Sequence, residues 1–288
     1  MRVLVGYDGS DFAMQALEWA LDEAKLRKLP LTVVHAWQWP YGTASEEVKQ
    51  HLRKAAEHVL WHGAECARAT SSVTDIDTDL YEGHAADRLV SLSAVADLVV
   101  VGSRGLGMLR RAVVGSVAAH VSAHARCPVI VVRGPGPLPF PSRLGPVVAL
   151  ASKRPWDAVL EFAFQEAALR HLPLLATRAG GLRPRSYGTA MPPVDQVSAL
   201  DAELRQAVIA RHKRFPAVPV QTETDSDAPR EVVEMLSREA SVLVVGEGPM
   251  ARVALEHSAC PVAVVKTRMA RSSPASCPDG TLVAQPQL

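Results

Sequence analysis

Two α/β domains in tandem, each a doubly wound parallel sheet of five strands, are what the 288-residue sequence predicts. Three observations carry that expectation. Apolar β-type runs alternate with helical patterns through the first half, a segment dense in glycine and proline interrupts the chain near its middle, and the same order of elements then begins again. Alternating strand and helix patterns mark a parallel sheet covered on both faces by helices.

The first strand is "RVLVGY", residues 2–7, and the polar-apolar period of "DFAMQALEWALDEAKLRK", residues 11–28, makes the first helix. "PLTVVHAW", residues 30–37, is the second strand, and a long helical repeat runs from Ser45 to Ala69. "DIDTDLY", residues 75–81, is a third strand, followed by a helix from about Ala85 to Val95 and the buried strand "DLVVVG", residues 97–102. A glycine-rich loop leads to a fourth helix, from about Gly115 to Arg126, and "CPVIVVR", residues 127–133, is the fifth strand. Right-handed crossovers wind such elements into one domain whose ligands bind at the carboxyl ends of the strands.

The segment "GPGPLPFPSRLGP", residues 134–146, has proline or glycine at eight of thirteen positions and suits neither a helix nor an interior strand. Beyond it "ALEWA" (Ala16 to Ala20) finds its counterpart in "VLEFA" (Val159 to Ala163), and "CPVIVVR" in "CPVAVVK", residues 260–266. A repeat of about 130 residues is a domain duplication rather than a solenoid unit. Residues 1–134 and 145–266 are therefore expected as two domains, and the tail 267–288, rich in Ser, Pro and Ala without periodicity, as disordered.

Hydrophobic content of 48% with 21% charge is ordinary globular composition, and no apolar run approaches the roughly 20 residues that span a bilayer. The start "MRVLVGYDGS" is too short in apolar residues for a signal peptide, which makes the expected location cytoplasmic. Residues 1–133 carry 14 basic and 15 acidic side chains and residues 145–266 carry 14 of each, so neither half has the basic excess of a nucleic-acid binder. Cys66, Cys127, Cys260 and Cys277 form no CxxC pair and read as reduced structural thiols. His58 and His62, like His120 and His124, stand four apart on helices, where partly exposed packing is the plainer reading than a metal site. No metal-binding residue is assigned.

The stretch that carries chemistry is "GSRGLGMLRRAVVGS", Gly102 to Ser116. Backbone N–H groups converging in a loop, with the positive end of a helix behind them, bind phosphate oxygens, and glycine permits the close approach. Gly102, Gly105 and Gly107 follow a strand, Gly115 and Ser116 open the next helix, and Arg104, Arg110 and Arg111 add cationic charge. The loop has no Walker lysine and does not fit GxGxxG. The repeat supplies a control: 24 residues separate Gly102 from Cys127, against 13 between Gly246 and Cys260. The second copy has lost eleven residues here without losing its strands, and carries Arg252 against Glu247 and Glu256. Glu247 is expected where it would repel phosphate. Asp8, in "VGYDGS", is placed to accept hydrogen bonds from a ribose or to lie near a metal, and Ala151 reads as its counterpart.

The spacing G-x2-G-x9-G-S, read as Gly102, Gly105, Gly115 and Ser116, with "VGYDGS" and "CPVIVV", resembles the universal stress proteins, specifically their nucleotide-binding branch in a tandem arrangement. The resemblance covers residues 1–133 and, more weakly, 145–266. It implies a Rossmann-like fold with strand order 3-2-1-4-5, ATP as ligand with Mg2+ as its candidate companion, and dimers or other homo-oligomers built through the last strands. By position, it implies that Asp8 faces the ribose, Ala36 lies against adenine, and Gly102, Arg104, Gly105, Gly115, Ser116 and Val117 line the phosphates. Ala85 stands where the family commonly has proline. The implied role is a regulatory nucleotide sensor or stress-response factor holding one nucleotide, in the first domain.

No residue pair announces catalysis. A kinase or hydrolase needs a positioned base or a set of metal-binding carboxylates, and only Asp8 stands near the required place, so at most slow ATP hydrolysis is expected. Two other readings stay open: an ATPase or phosphotransferase using Asp8 and the arginines, and an interaction scaffold that binds no nucleotide. The two last strands, flat and apolar, are expected at sheet edges, paired with each other or with another chain.

Overall fold

The computed structural model describes residues 1–39, 45–105, 114–133, 144–151, 155–179, 194–225 and 228–266. Gly107, Arg110 and Arg111, the linker at 134–143 and the tail at 267–288 with Cys277 lie outside the described residues. The first half runs β1 (Val3–Gly6), α1 (Asp11–Arg27), β2 (Leu31–Trp37), α2 (Glu46–Thr70), β3 (Ile76–Glu82), α3 (Ala85–Leu92), β4 (Leu98–Gly102), α4 (Ser116–His124) and β5 (Val129–Val132). The second runs β6 (Val147–Leu150), α5 (Asp157–Arg170), β7 (Leu174–Ala179), α6 (Val194–His212), β8 (Val220–Asp225), α7 (Pro229–Leu236), β9 (Val242–Gly246), α8 (Pro249–His257) and β10 (Val262–Val265).

Local chemistry sets the element ends. Ser10 caps α1, its hydroxyl accepting from the Ala13 amide at 3.2 Å, while Asp11 places negative charge on the positive end of the helix. Lys28 and His171 end α1 and α5 in the left-handed region, at φ 55° and 54°, so both halves turn out of their first helix in the same way. Helix α3 stops at Leu92, short of the expected Val95, because the Ser93 hydroxyl bonds Val90 O at 2.6 Å and accepts the Arg126 amide at 2.8 Å. That pair of bonds ties the end of α3 to the segment entering β5.

All ten strands form one sheet in the order β3-β2-β1-β4-β5-β10-β9-β6-β7-β8. Within each half the strands are parallel and follow the expected doubly wound order; at the centre β5 and β10 pair antiparallel, with Val262 opposite Val131 and Val264 opposite Val129. The apolar edges therefore cover each other within one chain. This corrects the expectation of a homo-oligomer through the last strands, since their backbone groups are already used. The outer edges are β3 and β8, and β3 carries Asp77 and Asp79, charges that discourage edge pairing.

A continuous core lies on each face of the sheet. One packs α1, α2, α5 and α6 through residues such as Leu17, Leu60, Phe164 and Leu204; the other packs α3, α4, α7 and α8 through Leu89, Val121, Val233 and Leu255. On the first face α1 meets α5 through four charged residues. Glu23 and Glu166 are each 0% exposed. Arg27 donates to Glu23 at 2.8 Å and to Glu166; Arg170 donates to Glu166 at 3.1 Å and to Glu23. Arg27 also lies over Phe162 and Arg170 over Trp19, at 5.4 and 4.4 Å from the ring centroids. Every carboxylate oxygen in the quartet is matched, a condition without which such burial would be costly.

Burial drives both carboxyls up, but the Arg170 and Arg27 guanidiniums hold Glu23 below the ordinary carboxylate range. At Glu166 burial and repulsion from Glu23 win, pushing it up to about 7. The carboxylates titrate as a unit, the first proton entering at Glu166. Between the free carboxylate value of about 4.3 and the Glu166 value, the folded state holds a proton the unfolded chain has released, so stability falls as pH rises through that window. Glu166→Gln is expected to flatten this slope and leave stability at pH 5 within about 1 kcal/mol of the parent, whereas Glu23→Gln costs about 3–5 kcal/mol by stranding buried positive charge. Urea midpoints measured between pH 5 and 8 check both.

Candidate functional site

The order β3-β2-β1-β4 places the carboxyl ends of β1 and β4 side by side where successive crossovers leave in opposite directions, the point at which such sheets open a crevice. A cleft of about 500 Å3 lies there, within the usual size for a small-molecule site. All eight residues singled out in the sequence line it: Asp8 after β1, Ala36 on β2, Gly102, Arg104 and Gly105 after β4, and Gly115, Ser116 and Val117 at the start of α4.

Asp8 is held at the positive end of α1: its Oδ1 accepts from the Ser10 amide at 3.0 Å and the Ser10 hydroxyl at 2.6 Å. Gly105 passes close by, and a Cβ there would stand 2.5 Å from Asp8 Oδ2. Arg104 lays its guanidinium over the Phe12 ring, 4.3 Å from the centroid. Gly115 donates its amide to Ser103 O at 2.8 Å and caps α4 without a side chain, so Ser116 opens the helix rather than capping it. The first amides of α4 face the cleft with the helix dipole behind them.

Ala85, marked in the sequence by the family's usual proline, lines the cleft, but sequence reasoning missed the rest of its apolar wall and one polar prop. Val34, Leu89 and Val101 line the cleft too. They read in the sequence as core and serve as core and wall at once. His35 donates from Nδ1 to Tyr7 O at 2.7 Å and fixes the turn into Asp8. Tyr7 itself is buried, its hydroxyl bonded to His62 Nδ1 at 3.0 Å; burial first, then the charges of Cys66 and Asp8, raise its pKa. An imidazole third from the end of a strand whose other residues, Thr32 apart, are apolar was the only available signal for His35.

The Universal stress protein family matches residues 1–133. Across 274 residues the chain is 31% identical to Universal stress protein Rv2624c of Mycobacterium tuberculosis, covering 92% of this chain and 96% of the relative. The chain belongs to the universal stress protein family. A second relative, Universal stress protein Rv2623 of Mycobacterium tuberculosis, is 27% identical over 266 residues, covering 85% and 86%. The crystal structure of a universal stress protein from Archaeoglobus fulgidus shares the fold, with TM-score 0.68 at 17% identity over 92% of this chain and 96% of that one.

Two expectations about the second half of this universal stress protein change. The amide of Tyr7 bonds Val34 O, and the amide of Ala151 bonds Thr177 O, both at 2.9 Å, which makes Ala151 the counterpart of Tyr7 rather than of Asp8. The repeat is offset by 144 residues in the first strand but by 143 at the helix ends, a one-residue deletion that unaligned sequence concealed. Ser152, the residue after Ala151, lies outside the described residues. Glu247, expected to face phosphate, instead stands at the junction of the halves, 3.7 Å from Lys266 Nζ. Among the described residues no group of three or more His, Cys, Asp or Glu is set to hold a metal; His120 and His124 stack at 4.2 Å. Burial pushes the Cys127 thiol up to about 12, as suits a structural residue.

The glycines of the cleft are not equivalent. A Cβ on Gly102 would meet Phe12 O at 2.6 Å, a backbone atom that cannot turn away, whereas on Gly105 it would meet only the tip of Asp8. Gly102→Ala is expected to cost about 1–3 kcal/mol of stability, and Gly105→Ala less than about 1, with the Asp8 side chain displaced. Paired urea denaturation curves give the comparison.

Proposed function

We propose that this universal stress protein is a nucleotide-binding regulatory module that holds one ATP in the first-half cleft. The observation that carries the reading is the convergence of five separate segments, after β1, at the end of β2, at α3, after β4 and at the start of α4, on one crevice lined by apolar residues together with Asp8 and Arg104. Ala36, Val34, Leu89 and Ala85 offer a flat apolar seat for a base. Asp8 has Oδ2 directed at Gly105, on the path between base and phosphates, and suits a ribose hydroxyl. Arg104 with the backbone amides at Gly105, Ser116 and Val117 suits the phosphates, and Gly115, whose own amide is held by Ser103 O, lets the anion approach without a side chain intervening. The cleft fits a nucleotide better than a protein-held metal, since Asp8 is its one carboxylate among the lining residues; Mg2+ would enter as the counter-ion of the phosphates.

A ligand that binds the ordered form stabilises it by mass action, and that suffices for a sensor. Equilibrium dialysis is expected to give one ATP per chain. Asp8→Ala should weaken binding about 10-fold, the worth of a charged hydrogen bond. Gly115→Val should remove binding while the circular dichroism keeps its α/β form, because even a Cβ at Gly115 approaches Ser103 O to 3.3 Å and Arg104 Cα to 3.4 Å. ADP release is expected to stay near stoichiometric under multiple-turnover conditions; sustained turnover would move the assignment to an ATPase, and no bound or added nucleotide at millimolar ATP to a scaffold.

A further inference from the structure

Arg133 and Lys266 each follow the last strand of their own half, and each reaches across to the other. Arg133 Nη1 donates to Leu255 O in the last turn of α8. Lys266 Nζ donates at 2.8 Å to both Ser122 O and Ala123 O in the last turn of α4. Helix carbonyls in a last turn have no partner in their own helix and sit at the negative end of the dipole, so a cation there is doubly favoured. A groove of about 880 Å3 runs between α4 and α8, lined by Ala119, Ala123, Ala251 and Leu255, and the carbonyls that the two cations hold belong to its lining residues Ser122, Ala123 and Leu255. Lys266 is only 7% exposed.

The opposite end of α4 is the phosphate end of the cleft, roughly 10 Å away along the helix. Arg133 lies close enough to Arg104 that burial and then the Arg104 charge lower its pKa. Among the described residues neither guanidinium has a carboxylate partner, while in the second half Lys266 lies 3.7 Å from Glu247. Glu247 stands where the first half has Ser103, the amide of each bonding the last residue of the neighbouring strand, Val265 O and Val132 O.

We infer that the second half is a positioning element for the first-half anion site, with Lys266 fixing α4 from its carboxyl end and Arg133 linking the cleft to α8. This rests on the nucleotide reading of the cleft. A phosphate at the first turn of α4 orders the helix whose last carbonyls Lys266 holds, and the reciprocal bond of Arg133 to Leu255 O carries that ordering to α8. Nucleotide binding and the docking of α8 are then coupled, and the coupling is reciprocal. Lys266 and Arg133 are positioning residues that act through α4 and α8.

Amide hydrogen exchange of the full chain, with and without ATP, tests it. ATP is expected to slow exchange in α8, residues 249–257, by about 5-fold or more, although α8 contributes nothing to the cleft lining. Lys266→Met should weaken ATP binding about 5-fold and abolish the slowing, and Lys266→Arg should restore both, an effect that lost packing alone would not reverse. Unchanged α8 exchange in a parent protein that binds one ATP overturns the coupling and leaves the nucleotide reading standing. A parent protein that binds no ATP overturns both. The measurement on the parent decides without any variant having to fold.

Discussion

The antiparallel pairing of β5 with β10 is the constraint on which the rest of the molecule depends. Four apolar residues from each strand, all buried, close what would otherwise be two sticky edges and turn two parallel sheets into one of ten strands. The pairing relates the halves by an approximate two-fold axis through its centre. Equivalent helices are thereby brought together, α1 with α5 on one face and α4 with α8 on the other. Each meeting is reciprocal, as contacts across a two-fold must be. Glu23 and Arg27 meet Arg170 and Glu166, and Arg133 and Lys266 exchange helix ends.

The two faces settle their polar contacts differently. On the α1 and α5 face two fully buried carboxyls meet two part-buried guanidiniums, and the contact specifies how the halves sit more than it adds net stability. On the α4 and α8 face the cations meet helix carbonyls, and the balance is left open beside the cleft, where Arg104 and Arg133 share one neighbourhood. An open balance of that kind suits an anion. It sits in the half that kept the long loop after β4.

The cleft lies in the half with the longer connection after its fourth strand. The sheet requires only a crossover between β9 and β10, and 13 residues supply it. Gly102 is a partial exception to the view that every glycine here belongs to a ligand: its lack of a side chain lets Phe12 O approach, so fold and site both hold it.

What the sequence determined by itself was the order of elements, the duplication, the family and the eight residues that share the cleft. These signals are local or periodic: alternation of apolar runs, glycines at fixed spacing, and an aspartate just beyond a strand. Tertiary structure alone decided the rest. Glu23 and Glu166 sit within helical periods that read as solvated faces, and only the docking of α1 on α5 makes them buried. His35 and the apolar wall of the cleft read as strand and core because a residue's side toward a crevice depends on which strands become neighbours. The shift of Ala151 to the place of Tyr7 was hidden by a one-residue deletion that leaves both the strand and helix patterns intact. Arg133 and Lys266 look like ordinary charges ending apolar strands. Their partners lie 122 and 144 residues away in sequence, and only the two-fold pairing of β5 with β10 brings them within hydrogen-bond reach.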